Sequence, residues 1–192
     1  MTMHCHLVNY WLALFFLFVA TIPACSGAGI NKTLSSKKGL AVSKKNYLCG
    51  DLSAFSSISW YYNWGTAPSE EDHPECGEDK ARGFVPMIWG YYGGGFPELE
   101  FDTVLGFNEP NHHNQANLEP EEAAYAWLEM QAAYPDKILV SPSASPPNTE
   151  EWFDAFFEVC EVLGCRVDYL ATHSYSGNPE HDINYINGLY QR

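Results

Sequence analysis

Basic residues are scarce in this sequence. Only 10 Lys and Arg stand against 24 Asp and Glu, which gives a formal net charge of −14. Nucleic acids and anionic membranes are themselves negative, so a chain this acidic repels them. The composition therefore argues against nucleic-acid binding and against binding to a membrane surface, and it favours a neutral ligand.

The sequence also lacks the usual motifs for metals and phosphates. It contains no C-x-x-C pair, which argues against a structural zinc site. The glycine-rich stretch Tyr92–Phe96, "YGGGF", has neither the G-K-[ST] ending nor the G-x-G-x-x-G spacing of a phosphate loop. His112 and His113 are adjacent, and adjacent histidines rarely share one ion. We therefore predict no metal and no cofactor.

Charged side chains are absent from residues 1–27. This segment has an apolar stretch, "LALFFLFVATI", which Pro23 ends and small residues follow, so we predict a signal peptide. The apolar stretch is short for a membrane span, but a signal anchor remains the alternative. Residues 28–38 are predicted to be a linker that carries Asn31 as an N-glycosylation acceptor. We expect a secreted, monomeric protein, associated with a cell wall, whose catalytic domain spans residues 39–192.

Four cysteines lie beyond the predicted signal: Cys49, Cys76, Cys160 and Cys165. In a secreted chain they suggest two disulfides, for which three pairings exist. Cys160 and Cys165 flank "EVLG", so a local bridge across a turn is plausible. That bridge would leave Cys49 to pair with Cys76.

Short apolar segments predict six strands, and they lack the clean alternation of half-buried strands. The predicted strands are Gly39–Val42, Ser57–Trp64, Phe84–Trp89, Thr103–Glu109, Ile138–Ser145 and Val167–Tyr175. Helical patterns follow the later strands and begin near Pro120, Thr149 and Asp182. The predicted fold is α/β, a (β/α)8 TIM-type barrel of which the first six βα units are present.

The helical patterns also predict a core. One helix carries Ala123, Trp127, Met130 and Tyr134 at helical spacing, and the next carries Trp152, Phe153, Phe156, Phe157 and Cys160. We expect Trp127, Trp152 and Phe156 to be core residues. Trp64, Trp89 and Tyr175 stand at strand ends instead, and we expect them to face a ligand.

Polar and aromatic side chains end the predicted strands, and in such barrels the carboxyl ends of the strands form the active site. They are Tyr61 to Trp64 on the second strand, Trp89 with Tyr91 and Tyr92 after the third, Asn108 and Glu109 on the fourth, Ser141 and Ser143 on the fifth, and His173 and Tyr175 on the sixth. Aromatic faces stack on the C–H faces of sugars, while sugar hydroxyls need directional polar partners. The pattern therefore predicts a carbohydrate site.

Glu109 is the candidate catalytic residue. A surface carboxyl that caps the next element is the plainer interpretation. However, Pro110 favours an extended backbone at Glu109, and apolar residues precede it. We expect a partly desolvated carboxyl with a raised pKa, which could act as a general acid near neutral pH.

Several motifs together resemble glycoside hydrolase family 128, which includes secreted endo-β-1,3-glucanases. They are "KGLAV", "SWYYNW", "FVPMIWG", "LGFNEPN…Q…EPEEAAYAW", "SPSAS" and "CRVDYLATHSYSG", and they run in order from about Lys38 to Arg192. Two departures stand out. Ser174 occupies a position that is usually aromatic, and the first strand ends Ala41-Val42 instead of "AW".

The resemblance implies a role for each matching residue. Glu109 would be the acid/base of a retaining mechanism, and Asn108 would hold the sugar 2-hydroxyl. His173 and Tyr175 would hold the nucleophile or the sugar. The β-glucan groove would be lined by Trp60, Tyr62, Asn63, Trp64 and Trp89.

The family's nucleophile is a glutamate on a seventh strand, in a segment like "W-x-T-E". No such segment occurs up to Arg192, and Asp102, Asp168, Glu180 and Asp182 match no nucleophile position. We therefore expect the sequence to be a C-terminally truncated gene product with unpaired sheet edges, and expect the 192-residue chain to be inactive and poorly stable. The alternative is a non-catalytic protein that binds carbohydrate through the aromatic groove.

Overall fold

The computed structural model describes residues 35–68 and 83–191, which belong to one compact unit. The predicted signal peptide, Asn31 and Cys76 lie outside these ranges. Across the described ranges, no helix combines the length and the apolar character that crossing a membrane requires.

Six parallel strands form two three-stranded sheets. They are β1 (Ser35–Ala41), β2 (Ile58–Tyr62), β3 (Gly83–Phe84), β4 (Thr103–Leu105), β5 (Ile138–Ala144) and β6 (Tyr169–Thr172). The strands pair in chain order, β1-β2-β3 and β4-β5-β6. A parallel bridge between Met87 and Leu105 connects the two sheets. Each strand overlaps one of the predicted segments, and sequential parallel pairing is the arrangement of a TIM-type sheet.

The helices are α1 (Asp51–Ala54), α2 (Pro120–Ala133), α3 (Thr149–Leu163) and α4 (Pro179–Tyr190), with a 3-10 turn at Lys44–Asn46. Within the described ranges, only β4, β5 and β6 are followed by a helix of more than one turn. Regular βα units are therefore seen for the last three strands.

The strands differ in extent from the predicted segments: β4 and β6 end earlier, at Leu105 and Thr172, and the differences at β3 and β1 have identifiable causes. β3 is only two residues long because Pro86 has no N–H to donate to a ladder, although Val85 still donates to Tyr61 O over 2.9 Å. β1 begins at Ser35, inside the predicted linker. Ser35 pairs there with Ile58, and Ser59 Oγ donates to the Ser35 carbonyl over 2.8 Å.

The predicted helix faces form the larger core. Pro120 occupies the first turn of α2, where its missing N–H costs nothing. Trp127 and Phe156 are fully buried with perpendicular rings, and Trp152 stacks on Phe156. The core assignment of these three residues is confirmed. Phe157 was wrongly placed in the core, since 37% of it is exposed; it lies one position beyond Phe156, on the outer side of α3.

The local disulfide is confirmed. Cys160 is bonded to Cys165 across the end of α3, and Gly164 adopts a positive φ of 75° at the helix C-cap. Cys49 is also disulfide-bonded. The predicted pairing of Cys49 with Cys76 involves a residue outside the described ranges.

Candidate active site

Glu109 lies just beyond the carboxyl end of β4 and is only 8% exposed. Its φ is +43°, so the predicted extended backbone is wrong. A positive φ at a non-glycine residue is costly and persists only where the surroundings fix it. Here the Glu109 N–H donates to Ser143 O over 3.2 Å, and the Glu109 carbonyl accepts from the His112 N–H over 3.0 Å. The backbone that carries this carboxyl is therefore held from two sides.

Two side chains from the segment after β6 converge on one oxygen of Glu109. His173 Nδ1 lies 2.8 Å from Glu109 Oε1, and the Tyr175 hydroxyl donates to the same oxygen. The Tyr175 hydroxyl is also 3.1 Å from His173 Nδ1. A carboxylate only accepts hydrogen bonds, so His173 carries its proton on Nδ1 when it contacts Glu109.

The pKa of Glu109 is lowered. Burial alone would raise it, but hydrogen bonds from Tyr175 and His173, the charge of His173 and a hydrogen bond from Ser145 together outweigh that effect. The predicted rise is therefore wrong in direction, because the donors stabilise the carboxylate. At neutral pH this group is an anion poised to accept a proton.

Tyr62 and Trp64 lie on the β2 side of the same site. Burial raises the pKa of Tyr62, and the negative charge of Glu109 raises it further. The Tyr62 and Trp64 rings meet edge to face at 5.0 Å between centroids. Trp64 is 37% exposed, so its ring remains available to a ligand.

Asn108 is buried beside Glu109 and has one unused acceptor. Its Nδ2 donates to Gln115 Oε1 over 2.9 Å, and its backbone N–H donates to Trp89 O over 2.8 Å. Among the buried side-chain atoms of the described residues, only Asn108 Oδ1 has no hydrogen-bond partner. A buried acceptor of this kind is costly unless a ligand donor satisfies it.

An aromatic cavity of about 310 Å³ is lined in part by Trp89, whose carbonyl accepts the Asn108 N–H. Its lining includes Trp64, Trp89, Tyr91, Tyr92 and Phe96. A volume of this order can accommodate a sugar residue, and the lining supplies the ring faces that sugars stack on.

Trp60 and Asn63, two further residues of the predicted groove, have local contacts in the structure. Trp60 lies in the middle of β2, and its ring covers Gly39 so closely that an added Cβ there would lie 2.3 Å away. The Asn63 side chain shapes its own turn, since Nδ2 donates to Ala67 O and Oδ1 accepts from the Gly65 N–H.

Gln115 and Ser145 were given no role from the sequence. Ser145 is buried at the end of β5, and its Oγ lies 2.8 Å from His112 Nε2. The available signals were modest: Gln115 lies within the "LGFNEPN…Q" motif, and Ser145 ends "SPSAS". Across the described residues, no group of three or more His, Cys, Asp or Glu side chains could hold a metal.

Comparisons with known proteins agree on one family. Residues 39–192 match the family described as the glycosyl hydrolase catalytic core. Alkali-sensitive linkage protein 1 of Schizosaccharomyces pombe is 26% identical over 165 residues, which cover 82% of this chain. The chain spans only 29% of the length of that relative.

Two solved structures are similar to most of the chain. A subgroup II endo-β-1,3-glucanase of glycoside hydrolase family 128 from Sorangium cellulosum is 31% identical, with a TM-score of 0.62, and the match covers 80% of this chain and 68% of that one. A subgroup I endo-β-1,3-glucanase from Amycolatopsis mediterranei, in complex with laminaritriose, is 26% identical with a TM-score of 0.65. That match covers 82% of this chain and 67% of the other.

Proposed function

This chain belongs to the glycosyl hydrolase catalytic core family, and within it to glycoside hydrolase family 128; from that premise we propose that it carries the acid/base of a retaining β-1,3-glucan hydrolase. The observation that carries the proposal is the buried Glu109 carboxyl just beyond β4, which accepts hydrogen bonds from His173 and Tyr175. We assign the six strands to the first six βα units of a (β/α)8 barrel.

Glu109 acts in both halves of the proposed reaction. It first protonates the glycosidic oxygen as the bond to the leaving sugar breaks, and it then removes a proton from the water that releases the glycosyl-enzyme. The lowered pKa leaves Glu109 ready for the second half at neutral pH. The first half requires the protonated form, which the negative charge of a neighbouring nucleophilic carboxylate would favour by raising the pKa of Glu109.

A retaining mechanism also needs a nucleophilic carboxylate about 5–5.5 Å from the acid/base. The side chains that act on Glu109 within residues 35–68 and 83–191 are hydroxyl and imidazole groups. The proposal therefore places the nucleophile outside the described residues.

The proposed substrate is a neutral β-1,3-glucan. The solved relatives named above are described as endo-β-1,3-glucanases, and one holds laminaritriose. In this chain, Trp64 and Trp89 would stack on the sugar rings, and the free Asn108 Oδ1 would accept a hydroxyl of the sugar being cleaved. We also propose that the protein is secreted and associates with the cell wall, where a polymeric glucan would be accessible to it.

The test is Glu109→Gln in the complete natural protein. We expect reducing-sugar release from laminarin to fall by about 10²–10⁴-fold, the usual contribution of a general acid/base. Glu122→Gln is the matched control, because Glu122 is an exposed residue in the first turn of α2. Full activity in Glu109→Gln would exclude Glu109 as the acid/base.

The second candidate is a carbohydrate-binding protein without turnover, and the aromatic cavity favours it. Trp64, Trp89 and the loop that follows them form this cavity without any contribution from Glu109. Binding of laminarin without release of reducing sugar, unchanged by Glu109→Gln, would support this function over hydrolysis.

A further inference from the structure

We propose that Asp182 is a positioning residue: its carboxylate holds both serines that flank Tyr175 and thereby keeps the Tyr175 hydroxyl on Glu109. This inference rests on the proposed acid/base role of Glu109. Asp182 lies on α4 and belongs to no motif of the site described above.

The segment after β6 directs alternate side chains to opposite sides. His173 and Tyr175 contact Glu109 Oε1. Ser174 and Ser176 lie between and after them, and both donate to Asp182 Oδ1. This alternation is that of an extended chain, in which neighbours point to opposite faces. Two carboxylate oxygens thus hold the segment: Glu109 Oε1 contacts it on one side, and Asp182 Oδ1 contacts it on the other.

Packing does little to hold Tyr175 in place. The residue is 75% exposed, and its only ring contact among the described residues is the edge of His173, with centroids 6.0 Å apart. An exposed tyrosine would ordinarily sample several rotamers and lose its hydrogen bond part of the time. The direction of Tyr175 therefore depends on its hydroxyl contacts with Glu109 and His173 and on the backbone on either side, and that backbone is the part that Asp182 holds.

Asp182 itself stands on a well-anchored helix. Asn178 caps α4 by accepting from the Glu180 and His181 N–H groups, and the Asp182 N–H donates to Asn178 O over 3.0 Å. Further along α4, the Tyr185 hydroxyl contacts Thr172 Oγ1 of β6 over 2.7 Å and Thr149 Oγ1 of α3 over 3.0 Å. The helix is thus tied to both neighbouring elements.

The charge of Asp182 strengthens the two contacts. Hydrogen bonds to a carboxylate are roughly twice as strong as neutral ones. The hydrogen bonds from Ser174 and Ser176 lower the pKa of Asp182, so it stays ionised well into the acidic range. The other titratable groups that face Glu109 are His173 and Tyr175 from the segment after β6 and Tyr62 from β2.

The experiment measures the pKa of Glu109 directly, by ¹³C NMR titration of the complete natural protein labelled at glutamate, with Glu109→Gln to assign the signal. We expect Asp182→Ala to raise the Glu109 pKa, because the Tyr175 donor is loosened. Loss of a nearby negative charge alone would lower a carboxyl pKa, so the sign separates positioning from simple electrostatics. Glu180→Ala, which removes a charge from the same helical turn, should not raise it.

Two further variants make the result decisive. The double variant Ser174→Ala/Ser176→Ala keeps the Asp182 charge and should raise the Glu109 pKa as Asp182→Ala does; it decides the matter alone if Asp182→Ala does not fold. In a Tyr175→Phe background, Asp182→Ala should cause no further rise. An unchanged or lowered pKa, or an equal rise without the Tyr175 hydroxyl, would overturn the proposal. The titration needs no substrate, so its outcome is independent of whether Glu109→Gln abolishes hydrolysis.

Discussion

Opposing effects act on the Glu109 carboxyl at the scale of a single residue. Burial raises its pKa, while donors from Tyr175, His173 and Ser145 and the charge of His173 lower it, and the lowering prevails. A carboxyl whose folded pKa lies below its unfolded value contributes stability at pH values above the unfolded pKa. That contribution is lost as the pH falls through the folded pKa.

Removing one donor should make this linkage visible. We expect Tyr175→Phe to raise the Glu109 pKa and to lower the free energy of unfolding at pH 7 by roughly 1 kcal/mol, a small value because Tyr175 is exposed. In urea unfolding at successively lower pH the difference should shrink, since protonation of Glu109 removes the benefit from both proteins. Tyr169→Phe, on an exposed tyrosine of β6, serves as the control. A difference that is constant with pH would contradict the linkage.

The sequence predicted which residues lie near Glu109 but not how they affect its pKa. Asn108, Glu109, His173 and Tyr175 follow from the rule that strand ends carry function, and the structure gathers Glu109, His173 and Tyr175 around one oxygen. The direction of the pKa shift was missed because it depends on donors that are distant in the chain, chiefly Tyr175 and His173 at 66 and 64 positions from Glu109. Only the fold determines which side chain donates to Glu109.

At the scale of elements, close packing explains why residue 106, three positions before the proposed acid/base Glu109, is a glycine. An added Cβ at Gly106 would lie 2.6 Å from the Trp127 ring and 2.8 Å from the Pro142 nitrogen. β4, β5 and α2 therefore meet at a point that has no room for a methyl group. The same contact holds the chain that leads to Glu109 against the core.

We expect Gly106→Ala to lower the free energy of unfolding by about 1–3 kcal/mol through overpacking, as measured by urea denaturation. Gly188→Ala on α4 is the matched control, because a Cβ there meets nothing within 4 Å. That change should stabilise the protein by about 0.5–1 kcal/mol, since alanine favours helix. Equal effects of the two substitutions would contradict the packing argument.

The helices with a clear periodicity could be predicted more fully than the limits of the short strands. The helical spacing in α2 and α3 is long enough to define the buried faces around Trp127 and Phe156. β3 was overestimated because an apolar run does not reveal how Pro86 interrupts hydrogen bonding. The extent of β1 was missed for the opposite reason, since its polar residues pair through their backbones.

At the scale of the whole molecule, the net charge of −14 bears on how a polymer is recognised. A neutral glucan gains nothing from long-range attraction, so its binding should depend on stacking and hydrogen bonds. We expect laminarin affinity to change less than about twofold between roughly 20 and 500 mM NaCl. A carboxymethylated glucan should bind more weakly at the lower salt concentration because of charge repulsion. Affinity electrophoresis measures both, and a steep loss of laminarin binding with salt would contradict a stacking mechanism.

The glycine-rich loop that lines the aromatic cavity can accept inserted residues. Gly93, Gly94 and Gly95 all adopt positive φ values, and an added Cβ at any of them meets nothing within 4 Å. Hydrogen bonds hold the chain on both sides of the glycines. The Tyr91 hydroxyl donates to Glu129 Oε2 over 2.6 Å, and the Pro97 carbonyl accepts from the Tyr134 hydroxyl over 2.6 Å. Extra residues inserted between these two hydrogen-bonded positions would change the cavity wall and leave β3 and β4 undisturbed. An insertion at the three glycines could therefore enlarge the cavity, and with it the range of ligands that fit, while the sheets stay unchanged.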